Sequence, residues 1–146
     1  MMGYHIAHGG KKLLIDRKDI YGFTENVVEN YAVKAGSIFA NVGSLSGGNV
    51  QKLIVGREFS QENRLLIIED PTRGIDIGAI EFIWKKIEAM AAAGVAILMV
   101  SHELNEVMEL SDRILVMNDG NLYDGGLRGE KTEEQLGVLM MGGQAQ

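Results

Sequence analysis

Cysteine is absent from this chain of 146 residues, and proline occurs once, at Pro71. The absence of cysteine excludes disulfide bridges, thiolate metal sites and cysteine nucleophiles. Long hydrophobic runs are missing too: the longest covers residues 95–100, far short of the ~20 residues that span a bilayer. The N-terminal residues show no sustained apolar core of the signal-peptide type. These absences predict a soluble, intracellular protein that reaches a membrane only through a partner.

Basic charge is also scarce. The formal net charge is −6 at pH 7, and no strong basic run interrupts the sequence. This balance argues against nucleic acid as the main partner, because phosphate backbones are bound by clustered lysine and arginine. An apolar content of 46% is typical of a globular protein rather than a disordered one. The length suits one domain.

The first part of the chain favours helix and loop. Asp16 is placed to cap a helix that runs to about residue 33, and Gly36 is expected to end that element. Residues 35–45 are interpreted as a loop. A second helix is predicted over residues 47–59, with Leu53 and Ile54 facing inward.

The second part alternates strands and helices. A strand is predicted over residues 65–69, and its unbroken apolar run indicates burial on both faces, as in a parallel sheet. The later predicted elements are a helix over 79–92, a strand over 95–100, a helix over 103–110, a strand over 114–117, a hairpin turn at 118–120 and a last helix opened by a capping box of Thr132 and Gln135. This order predicts an α/β fold with parallel βαβ units.

Two glycines follow Ser46 at the start of the second predicted helix. Glycine lets a backbone approach a ligand closely, and the amides of a first helical turn favour anions. Gly47 and Gly48, with the Ser46 hydroxyl, could therefore bind phosphate. The alternative from these residues alone is an ordinary serine-capped helix after a glycine turn.

Acidic and imidazole side chains follow two of the predicted strands. Glu69 and Asp70 end the first strand, and His102 comes just after the second. In α/β proteins the carboxyl ends of parallel strands are where ligands bind, and carboxylates can hold Mg²⁺ or orient an attacking water. The alternatives are acids in a surface loop and a histidine that caps a helix.

Taken in order, these segments resemble the C-terminal part of an ABC-transporter ATPase domain, in particular the second cassette of importers for simple sugars or nucleosides. The matching segments are Leu45-Ser46-Gly47-Gly48-Asn49 of the signature motif, the Leu65–Glu69 strand with Asp70, the loop Pro71-Thr72-Arg73-Gly74-Ile75-Asp76, and Ser101-His102. The resemblance implies a partial P-loop NTPase fold. Residues 1–44 would then be the end of a helical subdomain with a linker, and residues 45–146 the C-terminal α/β part of the ATPase core.

The resemblance also implies roles. The signature residues Leu45, Ser46, Gly47, Gly48 and Asn49, together with Asp76 of the D-loop, would face ATP and the opposite subunit. By position, Glu69 would hold Mg²⁺, Asp70 would be the catalytic carboxylate and His102 the switch histidine. The family usually has Asp before Glu, whereas here Glu69 precedes the shorter Asp70. This reversal predicts weak or absent hydrolysis; alternatively, a small shift lets Asp70 serve the metal.

The first half of such a cassette has no counterpart in the sequence. No phosphate-binding loop of the form G-x-x-x-x-G-K-[ST] occurs, and no glutamine precedes Gln51. ATP and Mg²⁺ are therefore expected only with the missing half or a partner cassette. The other expected partners are transmembrane permease subunits at the inner face of the cell membrane and a second copy of the chain, but not nucleic acid.

Two other interpretations remain open at this point. The chain could be a non-catalytic interaction module, or an inert remnant, that docks on a complete cassette. A lobe of a DNA-repair or chromosome-structure ATPase would need a long coiled coil before the signature, and the first 44 residues contain none.

Overall fold

The computed structural model describes residues 17–143. The predicted cap at Asp16 lies outside this range. The described helices are α1 (Arg17–Asn30), α2 (Gly47–Phe59), α3 (Ile77–Ala92), α4 (Leu104–Leu110) and α5 (Glu133–Met140). The strands are β1 (Leu65–Glu69), β2 (Ala96–Val100), β3 (Arg113–Asn118) and β4 (Asn121–Leu127), and a short 3₁₀ helix covers Val42–Ser44.

The chain forms two compact units. The first comprises the described residues up to Arg64 together with Pro71–Lys86, and the second comprises Leu65–Asp70 and the residues from Ile87 onward. The boundary predicted between residues 44 and 45 remains a prediction.

In the first unit, α1 packs closely against α2 at Gly56. A β-carbon at this position would lie 2.8 Å from the Tyr31 ring and from Val27 Cγ1, so glycine is required for the close approach. The unit buries mainly aliphatic and aromatic side chains, namely Val27, Tyr31, Val33, Val55, Phe59, Ala79 and Ile83. Burial also raises the pKa of Tyr31, against the opposing effect of a hydrogen bond with Ser60.

Two expectations for the first unit are wrong in detail. Helix α1 ends at Asn30 rather than near residue 33, because Ala32 adopts a left-handed conformation with a φ of 47°. The Val33 amide then donates to the Val28 carbonyl at 2.9 Å, which closes the helix before Gly36 is reached. On α2, Ile54 is exposed, whereas Val55 on the neighbouring face is buried.

In the second unit, β1 and β2 run parallel with Leu65 opposite Ala96 and Glu69 opposite Val100. Their exposure alternates along each strand. The prediction that this sheet is buried on both faces is therefore wrong, because one face leaves large apolar side chains exposed. Those side chains are Leu65, Ile67, Leu98 and Val100.

The third predicted strand does not join the parallel sheet. Instead β3 pairs antiparallel with β4, around a two-residue turn in which Asp119 and Gly120 have φ values of 46° and 75°. Positive φ at both positions is the geometry that suits a tight hairpin. The hairpin turn predicted at residues 118–120 is therefore confirmed, whereas the further parallel βαβ unit expected from strand order does not form within residues 17–143.

Helix α5 covers one face of the hairpin. Its capping box forms as predicted: Thr132 Oγ1 accepts from the Gln135 amide, and Gln135 Oε1 accepts from the Thr132 amide. The core beneath it comprises Ile114, Val116, Leu136 and Leu139. The other helix and strand boundaries after residue 46 agree with the expectations to within one or two residues, except that β4 extends to Leu127.

Candidate functional site

The signature segment starts α2 in the first unit. Ser46 occupies the N-cap position with extended backbone, yet its side chain makes no capping hydrogen bond. Instead Ser46 Oγ accepts from Asn49 Nδ2 at 2.8 Å, and Asn49 Oδ1 accepts from the Lys34 amide at 2.7 Å. The hydroxyl is therefore held by Asn49 rather than by the helix backbone. This geometry differs from an ordinary serine cap, the alternative raised by the sequence.

The neighbouring signature residues surround this serine. The Leu45 amide donates to the Val42 carbonyl at 3.1 Å and so ends the 3₁₀ helix just before α2. Gly47 is exposed and Gly48 half-buried. A β-carbon on Gly48 would lie 4.0 Å from Ile75 Cα, which is ordinary van der Waals distance. The start of α2 is thus accessible, with the 71–76 loop beside it.

The loop predicted as a D-loop is attached to α2 and to α3. Gln51 Nε2 donates to the Pro71 carbonyl at 3.1 Å. Asp76 Oδ1 accepts from the Ala79 amide at 3.0 Å and caps α3. Asp76 therefore has a structural task in addition to the role the resemblance implies.

Asp70 and His102 meet in the second unit, at the carboxyl ends of the paired strands β1 and β2. His102 Nδ1 lies 3.0 Å and 3.1 Å from the two carboxylate oxygens of Asp70, and the His102 amide donates to Asp70 Oδ1 at 3.1 Å. The Asp70 amide donates to the Val100 carbonyl at 2.8 Å. Two residues that are far apart in the sequence are thus brought together by the parallel pairing.

The geometry of this pair assigns the imidazole proton. An ionised carboxylate can only accept, so Nδ1 carries the hydrogen in this pair, both in the Nδ1–H tautomer and in the charged imidazolium. The His102 side chain is 78% exposed, whereas that of Asp70 is 14% exposed. Asp70 also has a left-handed backbone with a φ of 43°, which is uncommon for a residue other than glycine and frequent at functional positions. The pair thus places an imidazole and a carboxylate together at the carboxyl ends of the two strands.

Glu69 ends β1 as an exposed residue next to Asp70. Its oxygen donors suit Mg²⁺, which proteins usually bind through one or two carboxylates together with phosphate oxygens and water. Residues 17–143 contain no group of three or more acidic, histidine or cysteine side chains that could hold a metal ion by themselves. The magnesium role of Glu69 therefore remains a prediction, in which this single carboxylate would be one ligand among phosphate oxygens and water.

Glu106, which lies near this pair, was missed in the sequence, and Ser101 was matched to the family motif without a role of its own. Ser101 Oγ donates to Glu106 Oε2 at 2.7 Å, and Glu106 is 1% exposed. The sequence of α4 does not indicate which of its carboxylates is buried, because the helix mixes apolar and polar residues and also contains Glu109.

Comparison with known proteins identifies the class of protein that the fold and the sequence resemble. No protein-family model matches the chain. Two solved structures and two curated relatives illustrate the similarities found. The solved structure of MJ1267, an ATP-binding cassette of an ABC transporter, matches 92% of this chain and 53% of its own with a TM-score of 0.68 and 20% identity. The dimeric, post-hydrolysis structure of the ATP-binding cassette MJ0796 matches 76% of this chain and 49% of its own, with a TM-score of 0.64 and 16% identity.

The fold is therefore that of an ABC ATPase cassette, with the P-loop NTPase architecture represented only in part. Sequence similarity shows which kind of ABC ATPase the chain resembles. The chain is 41% identical to the guanosine import ATP-binding protein NupO of Bacillus subtilis over 129 residues, which are 88% of this chain and 25% of NupO. It is 44% identical over 119 residues to the xylose import ATP-binding protein XylG of Moorella thermoacetica, which are 82% of this chain and 24% of XylG.

These matches confirm the predicted resemblance to ABC-transporter ATP-binding proteins of sugar and nucleoside import. The chain spans about a quarter of the length of the curated relatives it matches. In the range 17–143, no helix is both long and apolar enough to cross a bilayer.

Proposed function

We propose that the chain acts in ATP-driven import of sugars or nucleosides as part of an ABC ATPase cassette. It supplies the signature motif, the Walker B-like strand β1, the D-loop and the switch histidine. The observation that carries the proposal is the hydrogen-bonded pair of Asp70 and His102 at the ends of two parallel strands. Parallel sheets present ligands at this edge.

Each predicted site residue receives a role in this proposal. Glu69 provides a carboxylate ligand for Mg²⁺, which when bound neutralises charge on the phosphates. Asp70 holds the His102 ring through Nδ1, so that Nε2 faces a phosphate or an attacking water. Because Asp70 is engaged by His102, it has less freedom to act as a base than a separate carboxylate would.

The signature segment contributes to a second nucleotide. Ser46 Oγ accepts from Asn49, so its own hydrogen is available as a donor, and the amides of Gly47 and Gly48 lie in the first turn of α2. A helix start of this kind stabilises phosphate. The dimeric state of the cassette MJ0796, bound to ADP and Pi, supports a partner cassette that holds this nucleotide. Leu45 and Asp76 position the two sides of the segment.

The relatives NupO and XylG are import ATP-binding proteins, so the proposal includes permease subunits as partners. The chain would then work at the cytoplasmic face of the cell membrane. A second copy of the chain is a further candidate partner, since the exposed face of β1 and β2 is apolar.

Calorimetry with Mg-ATP tests how much of a nucleotide site this chain builds. We expect no binding and no measurable ATPase activity from the chain alone, because the sequence has no phosphate-binding loop. Micromolar binding, or turnover that Asp70→Ala abolishes, would contradict the proposed dependence on a complete cassette.

A mixing experiment tests the signature role directly. A complete nucleoside-import cassette with an inactivated signature serine is titrated with this chain, and ATP-dependent association is followed by analytical ultracentrifugation. We expect association with the natural chain and with Ser44→Ala, but at least tenfold weaker association with Ser46→Ala. Ser44 is the matched control because it is also exposed, two residues away, and bonds to the Asn41 carbonyl instead.

The second candidate function is a non-catalytic module that docks on a complete cassette. The exposed apolar side chains of β1 and β2 favour it. Association that is independent of ATP and unaffected by Ser46→Ala would support this function over the first.

A further inference from the structure

Glu106 is a buried carboxylate in the first turn of α4. Only 1% of its surface is exposed, and carboxylates are rarely buried unless they are paired or hydrogen-bonded. Its Oε2 accepts from Ser101 Oγ at 2.7 Å. Within residues 17–143, every buried side-chain nitrogen or oxygen has a hydrogen-bond partner. The proposed function gives Glu106 no task.

The Ser101 hydroxyl both donates and accepts a hydrogen bond. It donates to Glu106 and accepts from the Glu103 amide at 3.0 Å. Glu103 is the N-cap residue of α4, and its own side chain makes no capping bond. The Ser101 hydroxyl therefore ties the end of β2 to the start of α4, and Glu106 fixes the direction of that hydroxyl.

His102 follows Ser101 directly in the chain but is hydrogen-bonded to Asp70 instead of α4. Residue 101 is tied to α4, while the amide and ring of residue 102 are tied to Asp70 at the end of β1. A rotation of the Ser101 peptide would therefore move the His102 amide and ring away from the carboxylate. The connection from Glu106 to His102 consists of the Glu106 side chain, the Ser101 hydroxyl and the backbone between residues 101 and 102.

We infer that Glu106 is a positioning residue for His102 and acts through Ser101. The carboxylate accepts the Ser101 proton, the oriented hydroxyl caps the Glu103 amide, and the resulting turn sets the His102 ring so that Nδ1 meets Asp70. The positioning of the His102 ring follows from these contacts, whereas its importance for nucleotide chemistry rests on the proposed function. The competing explanation is that Glu106 only stabilises the packing of α4.

The test reads the His102 ring itself in the full 146-residue chain. Long-range ¹⁵N–¹H NMR at one fixed pH reports which ring nitrogen carries the proton, and His102→Gln assigns the signals among the three histidines. We expect the natural chain to show mainly the Nδ1–H form. Glu106→Leu and Ser101→Ala should each increase the minor tautomer severalfold, whereas Glu106→Gln keeps an acceptor for Ser101 and should restore the natural pattern.

Two comparisons separate positioning from packing. Glu109→Leu, on the exposed side of the same helix, is the matched control and should leave the His102 signals unchanged. Leu136 methyl shifts report the hairpin core and should not move in Ser101→Ala. The double variant Ser101→Ala/Glu106→Leu should change the tautomer ratio no more than either single variant, because the two act in one path.

The inference is overturned if Ser101→Ala folds and leaves the His102 tautomer unchanged, or if Glu106→Gln perturbs it as much as Glu106→Leu. If Glu106→Leu fails to fold, the half-exposed Ser101 variant and Glu106→Gln still decide the question. None of these readings uses nucleotide, so a failure of the proposed function would appear in the calorimetry and not here.

Discussion

The two pairs of strands in the second unit differ in what packs against their buried faces. The β3–β4 hairpin lies against α5 and buries Ile114 and Val116 against Leu136 and Leu139. In the parallel pair β1–β2, Leu66 is buried. Each pair leaves four large apolar side chains exposed on its other face, namely Leu65, Ile67, Leu98 and Val100 on β1–β2 and Leu115, Met117, Leu122 and Leu127 on β3–β4. The pairs therefore differ in the core behind them and not in the apolar surface that they expose.

The difference follows from the range of the interactions. The hairpin, its turn and α5 occupy one continuous stretch from residue 113 to 140, so each partner lies close in the sequence. The parallel pair is formed across α3, and parallel sheets usually require helices on both faces. The hairpin thus obtains its core from elements that are close in the sequence, whereas β1–β2 carries the proposed site on two strands that are joined through α3.

The largest expected effect is on the hairpin core. Leu136→Ala removes a side chain with 0% exposure and should lower the free energy of unfolding by about 2–5 kcal/mol. Urea unfolding monitored by circular dichroism measures the change. Val138→Ala, on the exposed side of α5, is the control and should cost much less. Equal losses in the two variants would show that the stability of the unit does not depend on the core between α5 and the hairpin.

The capping box gives the next effect. Thr132→Ala removes the oxygen that accepts from the Gln135 amide, and loss of such a cap typically costs about 1 kcal/mol. Thr132→Ser retains the hydroxyl and should recover most of the stability in the same urea experiment. A Thr132→Ala variant as stable as the natural chain would show that α5 depends on packing alone.

On the parallel sheet we expect a change in association rather than in stability. Ile67→Gln replaces an exposed side chain and should alter the free energy of unfolding by less than about 0.5 kcal/mol, while lowering self-association measured by light scattering. Leu122→Gln is the matched control on the exposed face of the hairpin, where the ion pair of Arg113 and Asp124 lies among the exposed apolar side chains and should weaken self-association. If Leu122→Gln lowers self-association as much as Ile67→Gln, the exposed face of the parallel sheet does not contribute more to self-association than the hairpin.

The smallest expected effect is the pH dependence of the hairpin. The hydrogen bond from the Gly126 amide holds the pKa of Asp124 below its usual value. Desolvation opposes this effect, and Arg113 and Lys131 lower the pKa further. A lowered folded-state pKa contributes stability above the unfolded pKa and loses it as pH falls through the folded pKa. Thermal unfolding of Asp124→Asn should therefore depend slightly less on pH between neutral and strongly acidic solution. A steeper dependence in this variant would contradict the assignment.

Local signals in the sequence were sufficient for much of the fold. The capping box of Thr132 and Gln135, the Asp119-Gly120 turn and the start of α2 at Gly47 were all predicted, because each depends on neighbours within a few residues. The end of α1 was not, because Ala32 gives no sign of a left-handed conformation. Burial of β1 was also misjudged, since an apolar run does not reveal whether a second layer lies beside it.

The candidate site shows the same limit. The positions of Asp70 and His102 at the ends of two strands could be predicted, and the parallel register then brings them together. Their direct hydrogen bond could not be predicted, because it depends on the backbone turn at Asp70. The hydrogen bond from Asn49 to Ser46 and the burial of Glu106 depend on side-chain directions, which the pattern of residues does not reveal.

The contact at Gly56 has a mechanical consequence. Since no β-carbon fits between α2 and the Tyr31 ring, any larger residue at position 56 would force α2 away from α1. Ser46 stands at the N-terminal end of α2, so the same displacement would move the signature serine. The distance between the two helices, set by the absence of one methyl group, therefore also sets where Ser46 lies in the first unit.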